Sequence, residues 1–190
     1  IAAVLPENAG PVLGCIGTFE ERKGQSNLLL AAAKLIHSSL PNLQVLLVGD
    51  GPDEAQYLNL AEDLGIRKHV HIVPFTKTPE NIYPLFDLTV LPSLYKEGLP
   101  NVLLESLAMG VPVISSEIGG VKEIVLEGKT GSSVPIGDVD ALANATLNIW
   151  QDQEIYKAMK AFSPGFIREG FDKEVQFARF LEHYKKVISN

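Results

Sequence analysis

Cysteine is almost missing from this 190-residue chain: Cys15 is the only one, and it sits inside an apolar run. An internal disulfide and a cysteine-based zinc site are both excluded. Positive charge is scarce as well. Sixteen Lys and Arg face twenty-three Asp and Glu, a net charge of −7. A surface of that sign does not attract the phosphate backbone of DNA or RNA, so nucleic acid is not an expected partner. No apolar stretch approaches the ~18 residues that cross a bilayer, and the first residues do not read as a signal peptide. Internal repeats and low-complexity tracts are also absent. What is present is an ordinary globular composition, 46% apolar and 21% charged, in a length that suits one compact core. The chain begins Ile-Ala-Ala rather than with Met, the start expected of a piece of something longer.

Short apolar runs closed by Gly, Pro or Ser fall at 12–17, 43–49, 70–73, 88–91, 111–115 and, more weakly, 132–134. Their nearly continuous apolar character is that of strands buried on both faces. Helical patterns fill the gaps at 25–38, 53–64, 80–86, 101–109, 121–126 and 138–150; in the first, Leu28, Leu29, Ala32, Leu35 and Ile36 share one face. After residue 151 the strands stop, and helices are expected at 153–162 and 173–188. Residues 1–10, with Pro6, Gly10 and no periodicity, read as a linker to a domain over 11–190. Strand and helix in strict alternation require parallel strands joined by right-handed crossovers. The expected fold is therefore α/β: a doubly wound, Rossmann-like, mostly parallel six-stranded sheet with C-terminal helices. The usual order 3-2-1-4-5-6 sets strand 1 beside strand 4, and ligands bind beyond the C-terminal ends of those two.

The loop after strand 1 reads Gly17-Thr18-Phe19-Glu20-Glu21-Arg22-Lys23-Gly24. Its glycines allow close backbone approach, and Lys23 sets a positive charge at a helix start, a combination suited to phosphate. Neither the P-loop spacing nor Gly-x-Gly-x-x-Gly is present, and a solvated charged loop is the competing reading. The loop after strand 4 runs Pro92-Ser93-Leu94-Tyr95-Lys96-Glu97-Gly98-Leu99-Pro100-Asn101-Val102-Leu103-Leu104-Glu105. Pro100 suits the first turn of a helix, which leaves the amides of Asn101, Val102 and Leu103 to face an anion. Glu105, four residues after Asn101, shares its helix face. Two carboxylates beside a phosphate-type helix end would repel the phosphate unless they serve something else. Carboxylates bind vicinal hydroxyls well, and a ribose and a second sugar on either side of a diphosphate would occupy both.

Other patterns are decoys. Asp138-Val139-Asp140 resembles a metal motif but precedes a helix, where an N-cap is the expected role. Gly49-Asp50-Gly51 fails the dinucleotide fingerprint, because Glu54 stands at the third glycine position. His37, His69, His71 and His183 lack metal-ligand spacing with other donors, and Cys15 reads as a small core residue. The Glu97/Glu105 pair could suggest a glycoside hydrolase, but both come from one loop-helix unit beside a helix end, which argues for binding.

Glu97 and Glu105 form Glu-x7-Glu in the setting Pro-Ser-…-Glu-Gly-Leu-Pro-Asn-Val-Leu-Leu-Glu-Ser-Leu-Ala-Met-Gly-Val-Pro-Val-Ile. This resembles the nucleotide-sugar-binding half of retaining glycosyltransferases of family 4, which have the GT-B fold. The likeness extends through Lys23-Gly24, Val48-Gly49-Asp50-Gly51-Pro52, Gly119-Gly120-Val121-x-Glu123 and Gly128-x-x-Gly131, about residues 12–150.

The resemblance implies that Lys23 contacts the diphosphate, Glu105 the ribose hydroxyls and Glu97 the transferred sugar, with Lys23 and Glu97 as the catalytic pair. It implies backbone contacts from Gly17, Thr18, Gly98, Leu99, Pro100, Asn101 and Val102, and a base near Gly51 and the Pro74-Phe75 turn. Family members need no bound metal or other cofactor; the partner is a nucleoside-diphosphate sugar, with an acceptor-binding half before residue 1. The implied setting is cytoplasmic, with peripheral membrane association of the full protein. Many relatives carry Arg where this chain has Thr18, which removes a bidentate phosphate contact; Arg22 in the same loop is the candidate replacement. The alternatives are a non-catalytic α/β nucleotide-binding or interaction module, a reading that Thr18 in place of Arg keeps open, and a nucleotide-sugar epimerase of the same architecture. A phosphorylase would be expected to use a pyridoxal phosphate lysine, for which no convincing position exists.

Overall fold

The computed structural model describes residues 5, 6 and 8–188. Residues 1–4 and 7 of the expected linker therefore lie outside the described residues. Within the rest of it, Leu5 packs against the core and the Gly10 amide bonds to the Asn42 carbonyl at 2.7 Å.

Six parallel strands, β1 (Val12–Ile16), β2 (Gln44–Val48), β3 (Val70–Val73), β4 (Leu88–Leu91), β5 (Val113–Ser116) and β6 (Gly131–Val134), form one sheet in the order β3-β2-β1-β4-β5-β6. All neighbours run parallel. The reason is the one read from the sequence: each strand is apolar on both faces, so both faces must be covered. Alternate residues serve opposite cores. Val45 and Leu47 join one cluster with the helices α1 (Gln25–Ile36), α2 (Glu54–Asp63) and α5 (Val139–Gln151), whereas Leu46 and Val48 join another with Tyr83 and Phe86. Beside the latter, α3 (Asn101–Ala108) and α4 (Val121–Ile124) bury Leu103, Leu107, Val121 and Ile124.

The switch point depends on a residue with no side chain. Gly14 of β1 pairs with Thr89 of β4, and a Cβ there would lie 2.1 Å from the Phe86 ring. The Phe86 ring can therefore lie flat against β1, which keeps the 3₁₀ turns ahead of β4 close to the sheet.

Two helix expectations are corrected. Residues 80–86 form no helix but two 3₁₀ turns, Pro79–Asn81 and Tyr83–Leu85. Pro84 would leave the Glu80 carbonyl without a donor and clash with it in an α-helix. Conversely, α6 runs from Gln153 to Gly170 rather than stopping at 162, passing through Pro164. Burial holds that far end in place: Ile167 is buried and Phe166 packs beside it on the core of α3 and α4. The last helix, α7 (Lys173–Ile188), buries none of its residues, and Phe177, Phe180, Tyr184 and Ile188 stand exposed along it.

Candidate functional site

The loops after β1 and β4 are held face to face. The Gly17 amide bonds to the Val48 carbonyl at 2.9 Å and the Phe19 amide to the Asp50 carbonyl at 2.8 Å, which lays the first loop along the loop after β2. It then makes one 3₁₀ turn, Glu21–Lys23, and enters α1 through Gly24 at a left-handed φ of 70°. Only glycine fits there, because a Cβ would sit 2.0 Å from the Pro92 carbonyl oxygen of the other loop. The Leu94 amide closes the contact on the Arg22 carbonyl at 2.8 Å.

The side chains meet at Glu97. Its Oε1 accepts from Lys23 Nζ at 2.6 Å and from Ser93 Oγ at 2.7 Å, and Arg22 Nη1 lies 3.9 Å away. The lysine and glutamate side chains are only 16% and 9% exposed, so this is a partly buried ion pair and not the solvated charged loop of the competing reading. Lys96, just ahead, has φ 58°, the one left-handed non-glycine backbone among the described residues, a conformation that costs about 1–2 kcal/mol. Behind the turn, Gly119 (φ 56°) lies so close that a Cβ would be 2.3 Å from the Glu97 carbonyl oxygen, and the Gly120 amide bonds to the Gly98 carbonyl at 3.0 Å. Tight support from Gly119 and Gly120 holds the strained turn that aims Glu97 at Lys23.

Pro100 caps α3 with an extended backbone rather than occupying its first turn, and its carbonyl accepts from the Leu103 amide at 3.0 Å. The Leu103 amide is therefore engaged, which corrects the expectation of three open donors. Among the described residues the Asn101 and Val102 amides have no hydrogen-bond partner, and no side chain caps them. Gly98 and Leu99, between Glu97 and this helix end, are exposed.

One turn along α3, Glu105 Oε2 accepts from the Tyr83 hydroxyl at 2.8 Å. Burial first, then the hydrogen bond to Glu105, pushes the Tyr83 phenol far above its ordinary range, so it remains a donor. A cavity of about 340 Å³ opens beside this pair, lined by Ile16, Gly17, Thr18, Val48, Gly49, Asp50, Phe75, Thr76, Pro79 and Glu105. It gathers Gly17, Thr18, Phe75 and Glu105 from the residues singled out in the sequence. Gly51 and Pro74 flank its lining residues Asp50 and Phe75 without lining it themselves. Lys23, Glu97 and the 98–102 segment form a second patch. The two patches adjoin at Gly17, where a Cβ would stand 3.9 Å from the Lys23 methylenes.

Arg22 is not a free replacement for the missing arginine: its Nε is paired with Glu20 at 2.8 Å. Thr18 is exposed, and its carbonyl accepts from the buried Gln25 side chain at 2.8 Å. Tyr83 and Ser93 are the site residues that sequence reasoning missed as such. Ser93 was visible only as part of a motif, and Tyr83 lay in a segment read as helix, where Pro84 was the available sign of a turn.

The decoys have local explanations. Asp138 Oδ1 caps α5 by accepting from the Ala141 amide at 2.8 Å, and Asp140 pairs with Lys34. His69 Nδ1 donates to the Leu43 carbonyl at 2.9 Å and His71 Nε2 meets Gln44 Oε1 at 2.9 Å. Among the described residues no group of three or more His, Cys, Asp or Glu is arranged to hold a metal ion. Burial pushes the Cys15 thiol up to about 12, which keeps it a neutral core residue.

A parallel sheet in this order, with a crevice beyond the C-terminal ends of β1 and β2 lined by Gly17, Gly49 and Glu105 of α3, defines a Rossmann-like domain. The chain belongs to the family of glycosyl transferases group 1, which it matches over residues 2–164. It is 32% identical over 181 residues to the GDP-mannose-dependent alpha-(1-6)-phosphatidylinositol monomannoside mannosyltransferase of Mycolicibacterium smegmatis, covering 90% of this chain and 47% of that protein. It is 29% identical over 173 residues to the N-acetyl-alpha-D-glucosaminyl L-malate synthase of Bacillus anthracis, covering 91% and 45%. Among solved structures, the sucrose-phosphate synthase of Thermosynechococcus elongatus superposes with a TM-score of 0.82 at 27% identity, covering all of this chain and 49% of that one. Anabaena HepE in complex with UDP-glucose does so at 0.84 and 24%, covering 96% and 50%. The fold is the Rossmann-like sheet of GT-B glycosyltransferases, and the chain spans about half the length of these relatives.

Proposed function

We propose that this domain is the donor-binding half of a retaining glycosyltransferase of family 4, and that it holds a nucleoside-diphosphate sugar across the β1/β4 switch point. The observation that carries the reading is the pair of patches that adjoin at Gly17: the cavity that Glu105 lines, and Lys23 paired with Glu97 ahead of the α3 N-terminus. In this reading the base lies against Phe75, which is 66% exposed at the cavity wall and available for stacking. The ribose hydroxyls meet Glu105. The diphosphate crosses Gly17 to Lys23 and the Asn101 and Val102 amides, whose helix end favours negative charge. The mycobacterial relative's name specifies a donor of this class, a diphosphate between a nucleoside and a sugar.

During transfer the bond between the anomeric carbon and the diphosphate oxygen breaks, and the leaving diphosphate gains negative charge. Lys23 and the helix end stabilise that charge in place, an electrostatic contribution that invokes no metal and no base from this half. Glu97, released from Lys23 when the diphosphate arrives, turns to the hydroxyls of the transferred sugar beside the 98–102 backbone. The acceptor binds to a second half that precedes this one in the whole protein, so this domain alone binds donor weakly and turns nothing over.

Calorimetric titration of nucleoside diphosphates into the 190-residue domain and its Lys23→Ala variant tests the reading. Loss of the charge-assisted contact is expected to weaken binding by about 1.5–3 kcal/mol. Equal affinity for both proteins would remove the loop after β1 from the site.

A further inference from the structure

Glu105 is held by a device that its own helix does not supply. It lies on an exposed face of α3, where a glutamate side chain ordinarily samples several rotamers. Here the Tyr83 hydroxyl donates to Oε2 at 2.8 Å; its other acceptor, the Val102 carbonyl, is more distant at 3.3 Å. A phenol carries one proton, and the shorter, charged bond takes it. Tyr83 is itself fixed. It is 1% exposed, its ring stands edge-on to Phe86 with centroids 6.0 Å apart, and Phe86 lies against Gly14 of β1. A rigid line therefore runs from the central strand through Phe86 and Tyr83 to one carboxylate oxygen, leaving the other oxygen to a ligand. The carboxylate stands where the 340 Å³ cavity meets a second hollow lined by Pro79, Glu80, Tyr83, Ala108 and Met109. A freely rotating Glu105 could face either.

We propose that Tyr83 is a positioning residue for nucleotide recognition: its hydroxyl fixes Glu105 toward the cavity so that the carboxylate receives the ribose hydroxyls together, an inference that rests on the ribose role proposed for Glu105. The energetic consequence is selective. A pre-oriented carboxylate strengthens binding of a ligand that offers both hydroxyls, and does little for one that lacks the 2′-hydroxyl. The phenol ionises far above neutral pH, so its donation persists across the working range.

The test compares UDP, ADP and GDP with their 2′-deoxy forms by calorimetry, using the wild-type domain, Tyr83→Phe, Glu105→Ala and the double variant. Tyr83→Phe keeps the ring on Phe86 and removes only the hydroxyl, so the melting temperature should change little. The ribo form is expected to lose roughly five- to tenfold in affinity, the cost of ordering a glutamate side chain that the phenol no longer holds, while the deoxy form stays within about twofold. In the Glu105→Ala background the same change should have no further effect. Equal losses for ribo and deoxy forms, or a ribo preference that Tyr83→Phe leaves undiminished, would overturn the positioning role while leaving the ribose role of Glu105 standing. A wild-type domain that binds both forms equally would overturn both. Should Tyr83→Phe lower the melting temperature sharply, the double-variant comparison still decides: a hydroxyl effect that persists without Glu105 contradicts the proposal.

Discussion

Lys23 Nζ donates to Glu97 Oε1 at 2.6 Å, across 74 residues of sequence. The two side chains with the most prominent roles in the proposed transfer hold each other in the free domain. The lysine methylenes lie beside Gly17, and the Glu97 carboxylate is neutralised in the free domain.

The pair makes Glu97→Gln informative. Removing the carboxylate charge takes away both the internal competitor for Lys23 and a repulsion toward the diphosphate. Affinity for UDP or GDP without a sugar should rise by about 0.5–1.5 kcal/mol, the scale of a single screened charge interaction. The advantage of a nucleotide sugar over its bare diphosphate should shrink in the same variant. Titration of each nucleotide with and without its sugar reads both effects, and a uniform loss would contradict this assignment.

Lys23→Ala should also affect folding, contrary to what an isolated surface lysine would do. With side chains 16% and 9% exposed, the pair lies between the surface and buried classes of ion pair. Glu97 keeps Ser93 and the more distant Arg22. A stability loss of about 1–2 kcal/mol is expected by thermal or urea denaturation. Adding Glu97→Gln to the variant should restore part of it, because no uncompensated carboxylate then remains.

Glu105→Ala separates a sugar-nucleotide site from a general anion site. The wild-type domain should prefer a ribonucleotide to its 2′-deoxy analogue by about 1.5–3 kcal/mol, and the variant should show no preference. Inorganic diphosphate should bind the variant at least as well as wild type, because a negative charge has left the region of the α3 N-terminus.

His71 gives the fold a pH dependence away from the site. Burial first, then the charges of Arg67 and His69, hold its imidazole below the ordinary histidine range. The unfolded chain therefore takes up a proton before the folded one as pH falls. His71 carries no penalty above the ordinary histidine pKa of about 6.5, and stability declines as pH drops below that value until the lower folded pKa is passed. Replacement by Gln, whose amide can still donate to Gln44, should flatten the fall in melting temperature between about pH 7 and pH 5.

The sheet order was legible because a strand buried on both faces advertises itself: Val45, Leu46, Leu47 and Val48 are apolar in succession and divide between two cores. The Glu-x7-Glu segment was legible because both glutamates belong to one loop-helix unit, so spacing alone relates them. The Tyr83–Glu105 and Lys23–Glu97 bonds join elements brought together only by the fold, and no local period encodes them. The strain at Lys96 was likewise invisible, since its left-handed turn is imposed from outside by Gly119 and Gly120 on the next loop. Pro84 and Pro164 show the same limit. One replaces a helix with 3₁₀ turns and the other is carried inside a helix whose far end is buried. Composition does not distinguish the two cases.

The most direct test of the donor-binding account is amide NMR of the domain titrated with UDP-glucose, GDP-mannose and ADP-glucose. At least one should bind, with the largest shifts at Asn101 and Val102, whose amides would meet the diphosphate, and smaller ones at Gly17, Gly49 and Thr76 along the cavity wall. Shifts at those positions that vanish in Lys23→Ala would agree with the account. Binding that leaves the Asn101 and Val102 amides unmoved, or no binding by any of the three at millimolar concentration, would contradict it.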